Sequence, residues 1–361
     1  MWVLSRPDSV VVLKDEKCKR SLGRYFSTIN NRREAKFRIA KLVPAEFSQR
    51  DSADDLWRIH KNALSDYWNV ERLMDEDDDT KPKVASPSLL DLKVEIAGRM
   101  LSKCNFCHHK CLANRQSGEV GFCGCGNELE LSSSFQHLGE EPELVPSGTI
   151  FTCGCTMRCM HCQNWTISQR HEAYERCSPE RLAGIVDYLR RSGCRNANLV
   201  GGDPTSWLYH WLQAFTTVSE NVAVVWNSNS YYGEETSLLL AGFVDVYLLD
   251  FKYGPGPCAE EISSAPQYWE VATRNHIAAR DSGELIIRVL VLPGHNKCCT
   301  EPIVKWISQH LSSQTRVNLM DQYRPEWRAK EVKNLGRRLT ASEFEEARRM
   351  AKDAGLENLL L

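Results

Sequence analysis

Apolar positions fall into two regimes along this chain, and the change comes near residue 149. Beyond it, short apolar runs at 149–152, 197–200, 222–226, 244–249, 285–292 and 317–320 alternate with segments whose apolar residues recur at helical spacing. One such segment opens with Ser178 and Pro179, a cap and a first-turn proline, ahead of Leu182, Ile185, Val186 and Leu189. Another is expected over 342–354, where Gly355 stops it. Strands alternating with helices predict a parallel sheet with helical crossovers. Six units are too few for a closed eight-unit barrel. The expected fold is therefore α/β, an open, partial (β/α)6 barrel over residues 148–361.

The chain before that point is patterned differently. Residues 1–45 mix charges with scattered Val and Leu and read as an irregular arm. Residues 46–103 read as a helical extension. There Leu56, Ile59, Ala63, Leu64, Tyr67 and Trp68 recur at helical spacing, and an acid-rich linker is expected at 75–83. A second helix begins near Ser88, with Asp91 as its capping-box partner and Leu92, Ile96 and Met100 as its apolar stripe. Residues 104–147 are cysteine-rich, with glycines that permit tight metal-wrapping turns.

Cysteine is the residue type that changes the picture, with 15 in 361 residues. Cys155, Cys159 and Cys162 are spaced C-x3-C-x2-C, so a tight loop can aim three sulfurs at one metal centre. Soft thiolates select iron–sulfur clusters or zinc. Three ligands leave one iron of a four-iron cluster free to bind a substrate, an opening that four-thiol structural sites lack. Cys104, Cys107, Cys111 and Cys123 form a second candidate metal site, which suits either a structural zinc or a closed iron–sulfur cluster. Cys153 reads as a strand-end thiol. Cys177, Cys194, Cys258, Cys298 and Cys299 share no spacing and read as buried small hydrophobes.

Ligands of parallel α/β folds gather at the carboxyl ends of the strands. The triad follows the first expected strand and Gly-Gly-Asp-Pro-Thr at 201–205 the second. Asn227 and Asn229 follow the third, Asp250 and Lys252 the fourth, and the 293–295 turn the fifth. If the fold is right, all converge on one mouth.

At these residues the sequence resembles the radical S-adenosylmethionine superfamily. CTMRCMHC at 155–162 is similar to its cluster motif, and GGDPT to its GGEPT motif with Asp203 in place of Glu. LLDFK at 248–252 and VLPGH at 291–295 resemble the branch around glycyl-radical-enzyme activases. CQNW, PSGTIF, ATRNH and MDQYRP look like an uncharacterised group similar to the pyruvate formate-lyase activating enzyme. The resemblance covers about residues 85–361. It implies a [4Fe-4S] cluster on Cys155, Cys159 and Cys162, with S-adenosylmethionine chelating the open iron. Reductive cleavage would give a 5′-deoxyadenosyl radical that abstracts hydrogen from a substrate, a protein or a small molecule. It further implies Gly201, Gly202, Asp203, Asp250 and Lys252 as cofactor contacts, and a low-potential electron donor such as a flavodoxin or ferredoxin. Asn227 and Asn229 are candidates for ribose or plain turn formers, and Arg288 for the cofactor carboxylate or a helix-facing ion pair. His161 stands where the family has an aromatic residue near adenine.

Gross properties bound the partners. A net charge of −2 gives no electrostatic case for nucleic acid or an anionic membrane. No apolar run approaches a bilayer's thickness, and clustered cysteines without a secretory leader fit a reducing cytosol. Asp8, Asp15 and Glu16 argue against an organelle presequence at the basic N-terminus. The rival is a non-catalytic zinc or electron-transfer protein, which requires the triad to recruit a fourth ligand, Cys153 or His161.

Overall fold

The computed structural model describes residues 2–76 and 83–360. Residues 77–82 of the expected linker lie outside the described residues, while Asp75 and Glu76 end the helix Ala53–Glu76. The strands are β1 (Glu130–His137), β2 (Ser147–Thr152), β3 (Glu175–Arg176), β4 (Asn196–Leu199), β5 (Ala223–Ser228), β6 (Val246–Asp250), β7 (Glu284–Leu290), β8 (Arg316–Met320) and β9 (Leu359–Leu360). They form one sheet in the order β3-β1-β2-β4-β5-β6-β7-β8-β9. Every pair from β2 to β9 is parallel, and β1 pairs antiparallel with both β2 and β3. The six expected strands are all present. The sheet is open: β3 and β9 are its two edges.

Both faces of the parallel strands are covered, which is why they read as continuous apolar runs rather than alternating ones. Val224, Trp226, Tyr247, Leu249 and Ile287 pack outward beneath the crossover helices. Ala223, Val225, Val246, Leu248 and Ile286 point the other way, into the concave face. What covers them is the chain's own N-terminus. Helix Glu16–Ile29 lays Cys18, Leu22, Tyr25 and Phe26 onto those five residues.

The irregular arm expected over 1–45 is thus corrected. Asp15 caps this helix, its carboxylate accepting the N–H groups of Lys17 and Cys18 at 2.9 Å each. Leu22 departs from helical geometry (φ −136°, ψ 30°), and Glu284 of β7 takes the N–H groups of Arg24 at 2.8 Å and Tyr25 at 2.6 Å. Arg24 in turn bridges Asp245 and Asp75, at 3.2 Å and 3.1 Å. An apolar concave face has to be buried against something, and that demand orders residues whose local pattern is diluted by charge.

The cysteine-rich segment wraps over the opposite end. Cys107 bridges Tyr232 beyond β5, and the Phe106 carbonyl accepts the Gly233 N–H at 2.9 Å. The chain then forms β1 and a buried loop carrying Glu140, Glu141 and Glu143. Among the described residues, no helix is long and apolar enough to cross a membrane.

Candidate active site at the carboxyl ends of the strands

The carboxyl ends of the parallel strands surround a cavity of about 440 Å³. Cys155, Cys159 and Cys162 border it, as do Gly201, Gly202, Asn227, Asn229, Asp250, Lys252 and Arg288. Segments far apart in sequence meet here because parallel strands all end at the same edge.

The loop bearing the three thiols leaves β2 through Gly154, whose φ of +83° suits glycine; a Cβ there would overlap Cys125 Sγ. It is pinned by Arg158 N–H to Ser263 O at 2.8 Å and Met160 N–H to Ile262 O at 2.9 Å. Asn229 Nδ2 donates to Thr156 Oγ1 at 2.9 Å and reaches Cys155 Sγ at 3.5 Å. Cys162 Sγ meets Ser168 Oγ at 3.2 Å. Burial pushes the Cys159 thiol up to about 11, with the Lys252 charge opposing it, and Cys155 is raised further. Metal binding must therefore displace protons.

Gly201 (φ +110°) and Gly202 are forced by the protein itself. A Cβ on the first would overlap Thr152 Oγ1, and one on the second the Gly154 carbonyl. The chain leaving β4 runs directly over the chain leaving β2, with Gly202 N–H on Thr152 O at 2.9 Å and Asp203 N–H on Gly154 O at 3.0 Å. Asp203 turns away from the cavity. Its Oδ1 accepts the Thr205 N–H at 3.0 Å, and its Oδ2 accepts Ser228 Oγ–H at 2.9 Å and Asn229 N–H at 2.8 Å. Burial raises its pKa against those bonds. Both oxygens of the carboxylate expected to meet the cofactor are already bonded within the protein.

Asp250 and Lys252 face the cavity as an ion pair of 2.6 Å. Burial works against the ammonium, but Asp250 holds it protonated, above its ordinary value. Arg288 faces the cavity rather than a helix. Its guanidinium pairs with Glu140 and Glu141, the latter at 2.7 Å, and touches Asn227 Oδ1 at 3.3 Å. Burial raises the Glu140 carboxyl, yet Arg288 overrides it and the pKa falls to about 2. Glu140 and Glu141 escaped the sequence reading; the signal was three acids, at 140, 141 and 143, in an otherwise unremarked loop.

His161 borders the cavity edge-on to Tyr323, with ring centroids 5.7 Å apart. Burial lowers its pKa to about 3, so the ring is neutral, and Nε2 sits 3.0 Å from Tyr253 Oη. Cys153 is buried off the cavity, beside Glu130 and His171. Cys153 is therefore not poised to close the triad, and the Nε2 of His161 is engaged by Tyr253. Gln322 and Tyr323 line the mouth, and Trp327 stacks on Trp165 at 6.5 Å.

The second cysteine set lies against the back of the same loop. His109 Nε2 is 3.0 Å from Thr156 O, and Arg158 reaches the Phe122 carbonyl. As free thiols, Cys104 and Cys111 are within hydrogen-bonding reach of each other, as are Cys123 and Cys125. Burial lifts Cys107 to about 12, and the charges of Cys123 and Cys111 add to that. Cys125, a fifth thiol of the segment, is fully buried beside Cys123. Elsewhere Cys177, Cys194 and Cys299 are buried as expected, but Cys258 is half-buried and Cys298 exposed.

The donor set fits an iron–sulfur cluster: three thiols on one cavity, beside a fixed cation, with no other cysteine among the residues lining it. Comparison with known proteins agrees. The family model of the radical SAM superfamily matches residues 149–307. "Uncharacterized protein MJ0674" of Methanocaldococcus jannaschii is 43% identical over 342 residues, 93% of this chain and 98% of that protein. A second protein of that organism, "Uncharacterized protein MJ0808", is 26% identical over 170 residues, 42% of this chain and 49% of its own. Among solved structures, Streptococcus suis SuiB bound to precursor peptide SuiA gives a TM-score of 0.40 at 11% identity, over 55% of this chain and 43% of that one. SuiB alone gives 0.36 at 13%, over 59% and 47%. The chain thus spans less than half of the SuiB chains. On the near full-length relative and the matching domain, this chain belongs to the radical S-adenosylmethionine superfamily, whose cofactors are a [4Fe-4S] cluster and S-adenosylmethionine.

Proposed function

We propose that this protein is an enzyme that cleaves S-adenosylmethionine reductively and takes a hydrogen atom from a substrate at the mouth of its cavity. The observation that carries the reading is the convergence of three cluster-type thiols, the 201–202 backbone and the Asp250–Lys252 pair on one cavity. A [4Fe-4S] cluster on Cys155, Cys159 and Cys162 would deliver one electron to the sulfonium, giving methionine and a 5′-deoxyadenosyl radical. The chain's own residues set the conditions. The 201–202 backbone and the Asp250–Lys252 pair offer polar contacts to the amino acid end of the cofactor. The neutral His161 ring and Tyr323 offer flat walls.

The finer reading is a glycyl-radical protein as hydrogen donor, which rests on the resemblance of 248–252 and 291–295 to activases. A flavodoxin or ferredoxin is the matching electron donor. For Cys104, Cys107, Cys111 and Cys123 we infer a second iron–sulfur cluster or a zinc, behind the reactive loop. The test is anaerobic. The protein is reconstituted with iron and sulfide, reduced, mixed with S-adenosylmethionine, and assayed for 5′-deoxyadenosine and methionine by mass spectrometry. Product that disappears when any of Cys155, Cys159 or Cys162 is replaced supports the reading. A zinc-filled protein that takes up no iron overturns it in favour of a structural metalloprotein.

A further inference from the structure

Cys258 and the pair Cys298–Cys299 are 40 residues apart in sequence, yet their sulfurs touch. Cys258 Sγ lies 3.8 Å from Cys298 Sγ, and Cys299 Sγ lies 3.8 Å from Cys298 Sγ. A ring nitrogen of His295 joins them: the ligand atoms of Cys258, His295 and Cys298 all lie within 4.8 Å of one another. None of these residues borders the cavity described above.

We propose that Cys258, His295 and Cys298 form a three-ligand binding site for a single thiophilic divalent ion, zinc in the first instance, with solvent completing its tetrahedron. Three features carry it. Tetrahedral zinc with sulfur at about 2.3 Å sets its ligating sulfurs about 3.8 Å apart, and that is the spacing of Cys258 and Cys298. His295 Nδ1 lies 2.8 Å from the Pro293 carbonyl, which makes it the protonated nitrogen and leaves the lone pair on Nε2. A backbone carbonyl on the far nitrogen is the usual support of a metal-bound histidine. Lastly, Cys298 is presented by a π-helical turn, Asn296–Thr300, an arrangement that recurs at functional sites. That turn is pressed against Gly254, where a Cβ would overlap the Cys298 carbonyl.

The position suggests what the ion is for. Cys258 begins the helix Cys258–Ser263, whose other end accepts the N–H groups of Arg158 and Met160 from the cluster loop. A metal joining Cys258 to the turn after β7 would fix that helix, and through it the loop between Cys155 and Cys162. The ion is then a positioning device, remote from the reacting atoms.

The measurement is zinc content of the full chain purified anaerobically without added iron, set beside that of Cys258→Ser/Cys298→Ser and of Cys104→Ser/Cys107→Ser. We expect the first variant to lose one zinc per chain and the second to retain that ion. The thiolate-to-cobalt absorption that cobalt(II) gives with metal-stripped Cys104→Ser/Cys107→Ser protein should fall when Cys258→Ser/Cys298→Ser is added to that variant. If the double variant does not fold, Cys298→Ser alone serves, since Cys298 is exposed. Unchanged zinc in a folded variant overturns the proposal. So does a Cys258–Cys298 disulfide found by mass spectrometry in the anaerobic protein, which would make the pair a redox couple instead.

Discussion

At the scale of single residues, the site is built from side chains that serve the backbone as much as any ligand. Asp203 is the clearest case. The motif pointed to a cofactor contact, but its oxygens hold Thr205, Ser228 and Asn229, and so lock the ends of β4 and β5 together. Asp203→Ala strands three buried donors and should cost about 3 kcal/mol in urea denaturation. A variant of unchanged stability with weakened S-adenosylmethionine binding would return this carboxylate to the cofactor. Gly202→Ala drives a methyl into the Gly154 carbonyl. We expect it to destabilise the fold by about 2 kcal/mol and to lower iron retention after reconstitution. Cys159→Ala differs from both: it should abolish 5′-deoxyadenosine formation while far-UV circular dichroism stays that of the parent.

At the scale of elements, the six strand–helix units were legible because each is a contiguous stretch with its own period and its own punctuation. Ser178 caps the helix Pro179–Arg191, and the Ser88–Asp91 capping box is present as read. The helix Glu16–Ile29 also carried a signal: Cys18, Leu22, Tyr25, Phe26 and Ile29 recur at helical spacing behind the cap Asp15. Interspersed Lys, Arg and Glu obscured it, and nothing local said that a concave sheet face awaited it. Leu22→Ala should therefore cost about 2–5 kcal/mol, the price of a core truncation rather than of a loose arm. Its denaturation midpoint against that of the exposed-site control Leu4→Ala is the check.

At the scale of the molecule, buried ion pairs tie the β1–β2 loop to the strands beneath the cavity. Glu140 and Glu141 hold Arg288, and Glu143 holds Arg316 at 2.6 Å. Glu140 has its pKa lowered to about 2, against an ordinary glutamate value of about 4.3. The unfolded chain takes up the proton first as pH falls. The pair's contribution is complete above about pH 4.3 and is lost as pH drops through about 2. Thermal unfolding followed from pH 6 to pH 2 should show a steep acid limb, shallower in Glu140→Gln. An identical limb in that variant would remove Glu140 from the account.

The sequence alone determined the alternation of strands and helices, the C-x3-C-x2-C loop and the strand ends that carry Cys155, Cys159, Cys162, Gly201, Gly202, Asp250 and Lys252 to the cavity. All of these are encoded within short segments, in periodicity and ligand spacing. Tertiary structure decided the rest. It gave Asp203 and Arg288 partners from distant strands and a buried loop, turned Cys153 off the cavity, drew the N-terminal helix onto the concave face, and brought Cys258 to Cys298. Those outcomes depend on which surfaces of remote segments must be buried together, and no local pattern states that.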